Sequence, residues 1–139
     1  MKEKARVLIV EDDSQSVRTT RFDLADELGS EVHIAESVEA AISMLEKMRF
    51  DILIVDVRIP LRKGDVIAEF GGLELIEKWD NMGPRALNAN TPFLFLTAQQ
   101  RSVLNAQVMK NERCLGAVKK LTQFNTVDIV RDYLEKANK

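Results

Sequence analysis

The apolar residues of this chain arrive in short packets. Val7 to Val10, Val32 to Ala35, Ile52 to Val55, Phe93 to Leu96 and, more weakly, Cys114 to Val118 each span four or five residues, and amphipathic segments fill the intervals. Runs this short, with little internal alternation, are what strands buried on both faces look like. Parallel strands of that kind must be joined by crossover helices. The alternation therefore predicts βαβαβαβαβα and a three-layer α/β sandwich.

The intervening segments carry the matching helical signals. Val38, Ala41, Ile42 and Leu45 recur at helical spacing behind Ser37, a residue type that caps helix N-termini. Val17, Leu24 and Leu28 form a looser stripe that ends at Gly29. GLELIEKW, from Gly72, predicts a third helix, and Val127, Val130 and Leu134 predict a last one from about Thr126, capped by Asn125. Two connections exceed the usual length: LRKGDVIAEFGG after Pro60, and DNMGPRALNANTP after Trp79.

Composition sets the scale and the setting. A chain of 139 residues with 45% apolar content makes one domain over residues 1–139 with an ordinary core. No apolar run approaches signal-peptide or membrane-spanning length, and Cys114 is the only cysteine, so neither an internal disulfide nor a thiolate cage is available. The expected location is the cytoplasm. A net charge of -2 offers no global attraction to nucleic acid or anionic lipid, so neither is an expected partner.

In open parallel sheets, ligands bind beyond the carboxyl ends of the strands. Glu11, Asp12 and Asp13 follow the first run, Asp56 the third, Thr97 the fourth, and Lys119 and Lys120 the last. Carboxylates crowded at one edge repel one another and call for a hard divalent cation, for which Mg²⁺ is the expected occupant. A carboxylate beside Mg²⁺, a lysine and a hydroxyl has the parts of a phosphoryl-transfer site, and Asp56, at the end of the most apolar strand, is the best-held nucleophile. Either Glu11 with Asp12, or Asp12 with Asp13, makes the metal pair; Asp12 belongs to both.

VLIVEDD at 7–13, DILIVDVRIP at 51–60, TPFLFLTA at 91–98 and Lys119 together resemble the receiver domain of two-component response regulators, over essentially the whole chain. The intervals agree as well: 43 residues from Asp13 to Asp56 and 22 from Thr97 to Lys119. The resemblance implies a flavodoxin-like five-stranded parallel sheet of order 2-1-3-4-5. It implies phosphorylation of Asp56 by a sensor histidine kinase or phosphotransfer protein, with Mg²⁺ held by the acidic residues, Asp56 and the backbone carbonyl of Arg58. Thr97, Ala98 and Lys119 would receive the phosphoryl group, and Arg58 and Gln99 would tune its lifetime. A downstream protein partner would read the face of the fourth helix, fifth strand and fifth helix, and a homodimer is allowed. Such a domain is a signalling receiver, not an enzyme in the ordinary sense.

Two departures stand out. Gly64 matches the glycine that usually precedes the third helix, yet that helix begins eight residues later, which implies an enlarged loop bearing Val66, Ile67 and Phe70. The family's rotating aromatic, three residues before its lysine, is here Gly116. These departures leave open a receiver-like module that binds a protein partner independently of phosphorylation. An aspartate-nucleophile phosphatase would need a second Asp two residues after Asp56, where Arg58 stands. No phosphate-binding glycine motif follows the first strand.

Overall fold

Five parallel strands form one sheet in the order β2-β1-β3-β6-β7, and a separate two-stranded sheet pairs β4 with β5. The structure is a computed structural model and describes residues 4–13, 15, 18–97, 111–119 and 123–137. In chain order the elements are β1 (Arg6–Val10), α1 (Arg18–Leu28), β2 (Glu31–Ala35), α2 (Val38–Lys47), β3 (Ile52–Asp56), β4 (Ile59–Pro60), β5 (Ile67–Ala68), α3 (Gly71–Asp80), β6 (Phe93–Thr97), β7 (Cys114–Lys119) and α4 (Gln123–Ala137). The main sheet has the order expected, once the two short strands are set aside. The fourth helix expected between β6 and β7 and Val17 of the first stripe lie outside the described residues.

Strand alternation sorts the core into two layers. Leu8, Val10, Leu53, Val55, Phe93 and Phe95 face α2 and α3, whose Val38, Ala41, Leu45, Leu75, Ile76 and Trp79 close that side. Val7, Ile9, Ile52, Ile54, Leu94 and Leu96 face the other way, against Leu24, Val127 and Val130 of α1 and α4. Both faces of the central strands are buried, which is why the packets read as unbroken apolar runs.

The helix ends follow local chemistry. Ser37 caps α2, its Oγ accepting the Ala40 N–H at 3.1 Å, and Gly29 follows α1 with φ +62, a conformation that suits glycine. α4 begins at Gln123, so Asn125 lies inside the helix and does not cap it. Tertiary packing of Val127 and Val130 extends the helix past its nominal start signal. Among the described residues no helix is long and apolar enough to cross a membrane.

The stretch after Pro60, expected as a loop, is a hairpin. β4 and β5 pair antiparallel, Ile59 opposite Ala68 and Pro60 opposite Ile67. The Asp65 N–H returns to the Arg62 carbonyl at 3.1 Å, with Gly64 between them at φ +89. That is the third position of a turn requiring positive φ, so Gly64 serves the turn and not the start of α3. α3 begins at Gly71, one residue before its expected start.

Candidate functional site

Three carboxylates converge at the C-terminal end of the sheet. Asp56 is the last residue of β3, opposite Leu96 of β6, and is 3% exposed. Glu11 directly follows β1, where its N–H continues the ladder to the Ala35 carbonyl at 2.9 Å; it is 1% exposed. Asp12 is half-buried beside it. One carboxylate oxygen from each of Glu11, Asp12 and Asp56 lies within 4.8 Å of the others. Asp13 is exposed and serves the loop: its N–H donates to Glu11 Oε1 at 3.1 Å, and its Oδ1 accepts the Gln15 N–H at 3.1 Å. The geometry thus pairs Glu11 with Asp12 and leaves Asp13 outside the cluster.

This donor set consists of hard oxygens alone, with no histidine or cysteine in the cluster, on two rigid strand ends that approach from neighbouring ladders. A small hard dication fits such a set; a thiophilic metal does not. The Asp56 carboxylate is oriented by the next turn, its Oδ1 accepting the Arg58 N–H at 3.1 Å. Arg58 itself is exposed at the mouth of the hairpin.

Thr97 and Lys119 end adjacent strands and stand opposite each other in the β6–β7 register, Thr97 one strand and Lys119 two strands away from Asp56. Backbone pairing therefore places 56, 97 and 119 along one edge. Ala98, Gln99 and Lys120 lie outside the described residues. The pairing of β6 and β7 slips between Phe93–Cys114 and Phe95–Ala117, so that Leu115 and Gly116 together face Leu94. This is a β-bulge, and Gly116 takes φ +133 within it. The glycine that replaces an expected aromatic is thus a backbone requirement, since an L side chain there would be strained.

Two further residues escaped sequence reasoning. A Cβ on Gly72 would stand 2.5 Å from the Asp56 carbonyl oxygen, and one on Gly71 would stand 2.2 Å from that of Ile59. The start of α3 is pressed against the strand end that carries Asp56, and the Gly72 N–H donates to the Val57 carbonyl at 2.9 Å. No side chain caps this helix; the strand end does so instead. The signal was the Gly-Gly pair directly ahead of an amphipathic run. On the hairpin, Val66 is 88%, Ile67 47% and Phe70 42% exposed.

A family model described as the response regulator receiver domain matches residues 7–131. A curated response regulator receiver protein of Anaeromyxobacter sp. (strain Fw109-5) is 35% identical over 81 residues, which is 58% of this chain and 30% of that protein. The chain thus spans less than a third of that relative's length. Among solved structures, a CheY-like receiver domain protein from Methanospirillum hungatei JF-1 superposes with a TM-score of 0.74 at 23% identity, covering 96% of each chain. The receiver domain of a Francisella response regulator gives 0.76 at 16% identity, over 96% of this chain and 99% of its own. These two likenesses establish the fold.

Proposed function

The chain belongs to the response regulator receiver domain family, and on that premise we propose that it takes a phosphoryl group from a phosphohistidine, on a sensor histidine kinase or a phosphotransfer protein, onto Asp56. Receiver domains are two-component phosphoacceptors and signalling modules, not classical enzymes. The observation that carries the assignment to Asp56 is the cluster of Glu11, Asp12 and Asp56 around the end of the central strand. A carboxylate oxygen of Asp56 attacks phosphorus, the P–N bond breaks, and the imidazole nitrogen keeps the electron pair and is reprotonated. Glu11, Asp12 and Asp56, with the Arg58 carbonyl, would hold Mg²⁺, which when bound would supply charge neutralisation for the transferred group.

The chain's own residues supply position and shielding. The Arg58 N–H holds one oxygen of Asp56, which aims the other at the incoming group. Thr97 and Lys119, with Ala98, receive the phosphoryl oxygens from the neighbouring strand ends, Lys119 as a cation and Thr97 as a hydroxyl donor. Arg58 and Gln99 set the rate at which water reaches the group. The phosphorylated domain then changes its contacts with a downstream protein. A cytoplasmic setting agrees with the lone, half-buried Cys114.

Incubation with acetyl phosphate and Mg²⁺, followed by intact mass, tests the assignment. One added phosphoryl group is expected in the parent protein, with none in Asp56→Asn and none after chelation. Incorporation that survives Asp56→Asn would place the acceptor elsewhere.

A further inference from the structure

We propose that the state of Asp56 is relayed through the β4–β5 hairpin to the first turn of α2, a relay that presupposes Asp56 as the phosphoacceptor. The path starts at the carboxylate. Its Oδ1 accepts the Arg58 N–H, and Ile59, the next residue, opens β4. An acyl phosphate adds charge and new acceptor oxygens at that point, so the balance of hydrogen bonds around Arg58 must change.

The base of the hairpin has no slack with which to absorb such a change. Gly71 and Gly72 leave less room than one methyl group against the carbonyls of Ile59 and Asp56, and the Gly72 N–H is bonded to the Val57 carbonyl. Close-packed contacts of this kind pass displacement on. Both roots of the hairpin, Ile59 at one end and Phe70–Gly71 at the other, are therefore seated on the strand end that carries the acceptor.

The far side of the hairpin is joined to α2 by polar bonds. The Leu61 carbonyl accepts the Glu39 N–H at 2.9 Å, Arg62 Nε pairs with Glu39 Oε2 at 3.2 Å, and the Leu61 side chain packs on the core. Leu61 thus provides an acceptor for an N–H in the first turn of α2, one of the donors a helix cannot satisfy by itself. A shift of the hairpin alters both that bond and the presentation of Val66, Ile67 and Phe70. At Gly116, by contrast, a Cβ would meet nothing within 4 Å, so the bulge in β7 leaves space and no side chain to move at the aromatic's position.

Hydrogen exchange read by mass spectrometry tests the relay, in protein treated with acetyl phosphate and Mg²⁺ and checked by intact mass. In phosphorylated protein, peptides spanning 59–70 and 38–41 are expected to change exchange rate by about threefold or more, and Asp56→Asn should show neither change. Glu39→Pro, which removes both the N–H that the Leu61 carbonyl accepts and the carboxylate that pairs with Arg62, should still gain the phosphoryl group and keep the response at 59–70, but lose it at 38–41. A phosphorylated parent protein whose hairpin and α2 exchange unchanged would overturn the relay alone, as would the same change in Asp56→Asn. A parent protein that gains no phosphoryl mass would remove the acceptor assignment and the relay together.

Discussion

The two ends of the sheet solve opposite problems. At the N-terminal end Asn88, 1% exposed, holds the chain together: its Oδ1 accepts the Phe50 N–H at 2.8 Å, and its Nδ2 donates to the Leu45 and Met48 carbonyls, each at 2.8 Å. Thr91 Oγ1 lies within bonding distance of Asn88 Oδ1 and of the Phe50 carbonyl, at 3.0 and 3.1 Å. Trp79 Nε1 donates to the Asn88 carbonyl at 2.9 Å, and Arg113 lies 4.0 Å over the Trp79 ring, pairs with Asp80 and donates to the Thr91 carbonyl. At the C-terminal end three carboxylates crowd within 4.8 Å. One end ties Asn88, Thr91 and Trp79 into internal hydrogen bonds; the other concentrates like charge that an added cation and phosphate can use. Stability is invested in the first and chemistry in the second.

The largest expected effect separates the two ends directly. Asn88→Ala strands the Phe50 N–H and two helix-end carbonyls, and should cost about 3 kcal/mol in urea unfolding. Asp56→Asn, equally buried, should change stability by no more than about 1 kcal/mol while abolishing phosphorylation. Equal losses would erase the distinction between the ends.

Next come two glycines, Gly72 at the functional end and Gly116 in the bulge of β7. Gly72→Ala forces a methyl group onto the Asp56 carbonyl and should cost about 2–3 kcal/mol. Gly116→Ala meets open space and is penalised only by its φ of +133, about 1 kcal/mol by the same unfolding measurement. The reverse ranking would mean that the start of α3 is not tightly seated.

The smallest effect concerns Cys114. Burial raises its thiol pKa, opposed in part by a backbone hydrogen bond at Gly116. Because the folded value lies above the unfolded one, the neutral thiol favours the native state at pH values below the unfolded pKa. That advantage fades as pH rises through the folded pKa. Iodoacetamide should therefore alkylate native Cys114 more slowly than the urea-unfolded chain at pH 8, and equal rates would show the thiol to be accessible.

Much of this was legible in the residues. Unbroken runs such as Ile52 to Val55 report strands buried on both faces, and Ser37 announces a helix by a local bond, so sequence alone places both. The positions of Asp56, Thr97 and Lys119 follow from where those runs stop. What escaped was set by long-range contact. Glu11 or Asp13 cannot be chosen until the ladder to Ala35 fixes which side chain turns inward, and the hairpin rests on only two short pairings that polar residues conceal. Asn88 reads as an ordinary loop residue because all its partners are at least three residues away and most lie about forty. Gly116 reads as a lost side chain until the bulge shows that its backbone needs glycine.

Titration calorimetry of Mg²⁺ against the parent protein and Asp12→Asn tests most directly whether the acidic edge is one cation site. Binding in the parent protein and at least tenfold weaker binding in the variant, about 1.4 kcal/mol, are expected, with Asp13→Asn close to the parent. Equal affinity in Asp12→Asn, or a loss confined to Asp13→Asn, would contradict the convergence of Glu11, Asp12 and Asp56 on a shared ion.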